Sequence, residues 1–215
     1  MTRIVYTAIF GDYDELKEPT VISKNVRYVC FSDRPISSTT WEVKVIKTKR
    51  ESARAARHVK IYYDAYFHSL KESDQLMWID ANQQINCDLN ELFDNAKSDF
   101  QLLSHPDREC IYKEAKACID LKKDNQVIIN NQISHYQNMG YPSNNGLVAT
   151  GLMIRRPTSA VRMFCHLWYS QIEKYSFRDQ LSFNYVHYRY PLIKYDTIPF
   201  ETLKQKFKKC RHKKR

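Results

Sequence analysis

Asp80 and Asn82 stand one residue apart at the end of the apolar run Gln75 to Ile79 and set two oxygen-bearing side chains on one turn. Hard cations such as Mg2+ or Mn2+ prefer such oxygen ligands. A cation held there would neutralise a diphosphate as it gains negative charge. Asn82 offers a neutral amide oxygen, so the pair should hold a cation more weakly than two aspartates would. Asp and Asn also end strands through their own backbone hydrogen bonds, and a plain turn is the competing reading. Arg54, Arg57 and Lys60, three residues apart, put three cations on one helical face. They can grip a diphosphate, the arginines bidentately, or they can be a solvated basic stripe. Asp179 and Gln180 follow Arg178 and open an apolar helical segment. A carboxylate beside an amide there can face a developing positive charge, or it can simply favour a helix start. His105-Pro106-Asp107-Arg108 can bind a hydroxyl, with His105 or Asp107 as general base, or form a turn.

Apolar strands carry these groups. Arg3 to Phe10 is β-branched and aromatic and stops at Gly11-Asp12, while Val26 to Ser32 is closed by Asp33. Trp41 to Ile46 alternates as a partly exposed strand, Ser52 to Leu70 has helical spacing with Ser52 as N-cap, and Gln75 to Ile79 runs into Asp80. This order predicts an α/β domain with Asp12, Asp33 and Asp80 on the carboxyl edge of the sheet, where such sheets bind ligands. Further on, Phe100 to Ser104 and Leu147 to Ile154 read as strands. Cys110 to Leu121, Val127 to Met139, Thr158 to Tyr175 and Gln180 to Tyr188 read as helices.

The chain has 215 residues and a net charge of +10, but Lys204 to Arg215 alone carry eight Lys or Arg and no acid. The body, residues 1–198, is nearly neutral, and the basic character belongs to a tail at 199–215 with Phe200, Leu203, Phe207 and Cys210 on one stripe. That stripe predicts peripheral contact with an anionic membrane at its inner face; a solubilising end is the alternative. None of the four glycines builds a phosphate loop. The first apolar run is too short for a signal peptide, and six cysteines without metal spacing suit a reducing cytoplasm, so a cytoplasmic location is expected.

Seven blocks in one order carry a resemblance: YTAIFGDYDEL (6–16), CFSD (30–33), ARAARHVK (53–60), MWIDANQQI (77–85), SHPDRECIYKEA (104–115), TGLMIRR (150–156) and RDQLSFNYV (178–186). The chain resembles a glycosyltransferase-like family with bacterial members and plant members linked to cell-wall and mucilage polysaccharides. The resemblance implies a single GT-A domain, Rossmann-like with a mixed central sheet, related to retaining enzymes such as glycogenin. It implies a UDP-linked sugar donor, Mn2+ or Mg2+, and a glycan or lipid-linked saccharide acceptor. It places Tyr6, Ala8, Phe10 and Asp33 at the base and ribose, Arg54, Arg57 and Lys60 at base or phosphate, and Asp80 with Asn82 at the D-x-D position. Asp179 and Gln180 fall beside the anomeric carbon. The late metal-binding histidine of related enzymes has no matching motif; His187 is the nearest candidate, since His212 sits in the basic tail.

Two other functions fit parts of the pattern. A domain of this kind can bind a nucleotide or glycan without transfer. A pI near 9.2 and many aromatics fit nucleic-acid binding, but the charge is confined to the tail and no RNA-binding aromatic motif occurs, so no nucleic-acid partner is expected.

Overall fold

The computed structural model describes residues 1–213; Lys214 and Arg215 of the predicted tail lie outside them. Strands β1 (Arg3–Ile9), β2 (Val26–Ser32), β3 (Glu42–Val45) and β4 (Gln75–Ile79) are mutually parallel. Beyond β4 lie β7 (Val148–Arg155), antiparallel to it, then β6 (Phe100–Ser104) and β8 (Tyr195–Ile198). The seven strands run in the order β3-β2-β1-β4-β7-β6-β8, the mixed central sheet of an α/β protein.

Period-2 alternation explains how one sheet fills two cores. On β1, Ile4, Tyr6 and Ala8 enter one cluster and Val5 and Ile9 the other. The first cluster lies under helices α1 (Ser52–Ile61), α5 (Ser159–Lys174) and α6 (Gln180–Arg189). The second lies under α2 (Asn90–Asn95) and the C-terminal segment. Helices α3 (Ile111–Asp120) and α4 (Gln126–Asn138) pack beside α6.

Two helix predictions need correction. Glu51, without a side-chain cap bond, stands at the N-cap of α1, and Ser52 is the first helical residue. The helix ends at Ile61 rather than Leu70, and a 3-10 turn over Tyr63–Ala65 follows. Tyr63 is fully buried, its ring 4.3 Å from the Arg155 guanidinium, so tertiary packing overrides helical spacing.

The basic C-terminal segment, predicted to present an apolar stripe to a membrane, packs on the domain. Helix α7 (Phe200–Lys206) leads into β9 (Phe207–Lys209), which pairs antiparallel with β5 (Gln83–Ile85). Leu203 and Phe207 are buried in the second cluster and Phe200 packs against it. The apolar stripe read as lipid-facing therefore faces the protein's own core. No helix among the described residues is long and apolar enough to cross a membrane.

Candidate functional site

Because β1, β2 and β4 are parallel, their carboxyl ends share one edge, and Gly11, Asp33 and Asp80 meet there. The Asp33 carboxylate accepts from the Gly11 amide at 2.7 Å. Gly11 has φ +63°, and a Cβ on it would lie 2.8 Å from Ser52 Oγ, so the turn after β1, which packs against the start of α1, favours glycine. Antiparallel β7 brings its N-terminal half to the same edge. Consecutive β6 residues Leu102 and Leu103 pair with Met153 and Ala149 of β7, so Thr150, Gly151 and Leu152 bulge beside Asp80. Gly151 permits the approach: a Cβ there would sit 3.3 Å from Asp80 Oδ2.

Lys60 ties this edge together. Its ammonium, 1% exposed, donates to Asp179 Oδ2 at 2.6 Å and Thr150 Oγ1 at 3.1 Å, and lies 3.5 Å from Asp80 Oδ1. The two carboxylates picked from the sequence thus share one buried cation. Trp78 Nε1 donates to Asp80 Oδ1 at 2.8 Å, and Arg57 Nε stands 3.4 Å from Asp179 Oδ1. Burial pushes the Asp179 carboxyl upward, but Lys60, Arg57 and Arg178 outweigh it and hold the group well below the usual carboxylate range. Asp80 keeps a partly exposed side chain. The carbonyl of Lys60 accepts from the Tyr6 hydroxyl at 2.8 Å and from Arg155 Nη2, which fixes the last turn of α1.

The three-cation stripe separates by role. Lys60 is buried, with its ammonium directed to Asp179 and Asp80. Arg54 donates to the carbonyls of Ile172 and Tyr175 at the end of α5. Arg57 keeps its side chain 18% exposed beside Asp179. Tyr6 is fully buried between Phe67 and Trp78, with no surface open to a base. Ala8 and Phe10 are buried in the same core, so Asp33 is the exposed member of that set.

His187 does not join Asp80. Its ring bonds the Ile193 carbonyl at 3.0 Å and packs against Tyr195 of β8, three places from β4 in the sheet. His212 arrives instead. Cys210 N donates to the Asn82 carbonyl at 2.7 Å and Lys213 N to the Tyr13 carbonyl at 3.0 Å, which strap the chain across the Asp80–Asn82 turn. His212 Nδ1 donates to Asp14 Oδ1 at 2.7 Å, leaving a lone pair on Nε2, 3.3 Å from Asn82 Nδ2. A carboxylate on the far nitrogen is the usual way to orient a metal-binding imidazole. Among the described residues no three His, Cys, Asp or Glu side chains gather to hold a cation. The oxygens of Asp80 and Asn82 are the donors here of the kind that suits Mn2+ or Mg2+.

His105 is engaged within its own turn. Its Nδ1 accepts from the amides of Asp107 and Arg108, so its lone pair is used, and Nε2 faces Glu114 at 3.5 Å. Burial lowers its basicity. Gln180 accepts from Arg178 Nη2 and donates to the Val148 carbonyl, both at 3.4 Å. Residues missed by sequence reasoning are Thr150, Trp78, Asp14 and His212. A threonine beside a glycine inside the apolar run LVATGLMI was the available signal for the first.

The chain resembles the probable hexosyltransferase MUCI70 of Arabidopsis thaliana, with 22% identity over 215 aligned positions that cover 85% of this chain and 36% of the relative. It therefore spans about a third of that relative's length. The crystal structure of apo mouse xyloside xylosyltransferase 1 superposes with a TM-score of 0.48 at 8% identity, over 92% of this chain and 84% of that one. The model of the TOD1/MUCI70 glycosyltransferase-like domain matches residues 39–214, most of the sequence and both halves of the site, and the chain belongs to that family.

Proposed function

We propose that this chain is a glycosyltransferase that moves a hexosyl group from a UDP-linked donor to a glycan or lipid-linked saccharide hydroxyl, with retention. The observation that carries this is Lys60, held between Asp80 and Asp179 at 3.5 and 2.6 Å. It couples the turn suited to a diphosphate to the carboxylate suited to the anomeric carbon. Family membership and similarity to a probable hexosyltransferase support the same reading.

Asp80, Asn82 and His212 would hold the Mn2+ or Mg2+, with Asp14 fixing the imidazole. A bound cation would supply positive charge to the departing diphosphate. Arg57 adds a second positive group on the open side of the cleft. Asp179 is 2% exposed at its side chain, which favours a fixed negative charge opposite the developing oxocarbenium over a free nucleophile. Lys60 keeps that carboxylate ionised, and Thr150 Oγ1 orients it.

UDP-hexose hydrolysis and transfer are measured with Mn2+ for the native chain, Asp80→Ala and Asp179→Asn. Loss of about 100-fold or more in each variant is expected. UDP binding should weaken in Asp80→Ala and persist in Asp179→Asn. Full turnover by Asp80→Ala in the presence of chelator overturns the reading. UDP binding with no turnover of any donor makes the chain a binding module instead.

A further inference from the structure

A cavity of about 150 Å³ opens next to Asp179 in the sequence, walled by His105, Arg108, Glu114, Lys123, Arg178 and Gln180. At roughly 30 Å³ per water it has room for about five waters, or for one compact anionic group. Its charges do not cancel. Glu114 pairs with Arg108 at 2.6 Å. Arg178 and Lys123 have no carboxylate within ion-pair distance among the described residues. The Nε of Arg178 is buried with no hydrogen-bond partner, an unmet donor in a native protein. Neighbouring carboxylates are committed elsewhere: Asp179 to Lys60, and Asp124 to Ser176 Oγ at 2.6 Å and the Phe177 amide at 3.1 Å. Lys122 adopts φ +50° where α3 ends, and the Lys123 amide then closes on the Cys118 carbonyl at 2.8 Å. A left-handed conformation is unfavourable for a lysine, and here it is spent on the turn that delivers Lys123 to the cavity.

We propose that this cavity is an anion subsite that takes a phosphate group, carried by the acceptor saccharide or free in solution. Among the lining groups Arg108, Lys123 and Arg178 outnumber Glu114, and Asp179, which also acts on Arg178, is shared with Lys60 and Arg57, so the cavity keeps the positive character that suits a phosphate. Arg178 offers the planar donor array suited to phosphate oxygens, and Lys123 a mobile point charge at the rim. Where the phosphate belongs to an acceptor, the proposal rests on the transferase reading, since Gln180 joins this cavity to Asp179.

The test titrates the full-length protein with inorganic phosphate, glucose 1-phosphate and acetate, followed by 31P NMR and calorimetry, with neither donor nor metal. Saturable phosphate binding is expected, weakened about tenfold in Lys123→Gln and more in Arg178→Gln. Acetate should bind at least tenfold more weakly. Tighter binding of glucose 1-phosphate than of phosphate assigns the group to an acceptor; equal or weaker binding assigns it to free phosphate. Lys123 is exposed, so Lys123→Gln remains informative if Arg178→Gln does not fold. Absent saturation, equal affinity for acetate, or binding unchanged in Lys123→Gln overturns the proposal. None of these readouts involves donor turnover, so failure here leaves the transferase reading intact, and loss of that reading leaves the titration valid.

Discussion

Lys60 is the residue on which the site's electrostatics turn. A buried ion pair contributes little net stability, but breaking one by removing a single partner strands a charge. Lys60→Met leaves the Asp179 carboxylate buried with Arg57 at 3.4 Å as its nearest remaining cation. A loss of about 3–5 kcal/mol in denaturant unfolding is expected. The double variant Lys60→Met with Asp179→Leu should recover much of it, because the stranded carboxylate goes too. Full additivity of the two single changes counts against a coupled pair. The sequence exposes this residue only halfway. Arg54, Arg57 and Lys60 show their common stripe through spacing, but spacing does not say which member is buried. Burial is decided by β7, whose bulge brings Thr150 and Gly151 over the end of α1, and that bulge has no sequence signature beyond the glycine.

At the scale of elements, the long apolar runs were legible and the short ones were not. The strands at Val26–Ser32, Gln75–Ile79 and Phe100–Ser104 fall where β-branched and aromatic residues predict them. β5, β8 and β9 have only three or four residues and are made by their partners rather than by their own pattern. Missing β5 and β9 hid His212, since a basic end reads as free until a strand pairs it back. The pairing is small, and isolated two-stranded ribbons are marginal, so Phe207 in the core must carry it. Phe207→Ala is expected to cost about 3–5 kcal/mol if the segment unfolds with the rest of the protein. If the strap opens by itself, the cost is smaller and local. Hydrogen exchange at the Cys210 and Lys213 amides then accelerates while β4 stays protected, and Mn2+ affinity drops about tenfold. Unchanged exchange at both amides would show that the strap is held by something other than Phe207.

The whole molecule stores several depressed pKa values, and together they set how it responds to acid. Burial, helped by Arg50 and opposed by Asp64, lowers His58 from 6.5 to about 4, and burial lowers His105 as well. Each histidine stays neutral in the folded chain at a pH where the unfolded chain would protonate it. Between pH 6.5 and about 4 the unfolded state therefore binds more protons, and stability must fall as pH falls through that window. Asp179, depressed by its cations against its burial, acts in the same direction lower down. Its contribution is complete above the ordinary carboxylate range and is lost as pH drops below it. His58 points into the rings of Tyr62, Tyr66 and Tyr169 rather than toward Asp80 or Asp179, so His58→Gln tests this titration with the Asp80–Lys60–Asp179 group kept. Thermal unfolding followed from pH 7 to pH 4 should show a midpoint that declines throughout, with a shallower decline above pH 5 for His58→Gln. A native midpoint that is flat between pH 6.5 and 5 would mean that His58 takes its proton in the folded protein, and the packing of Tyr62 and Tyr169 around it would then have to open in acid.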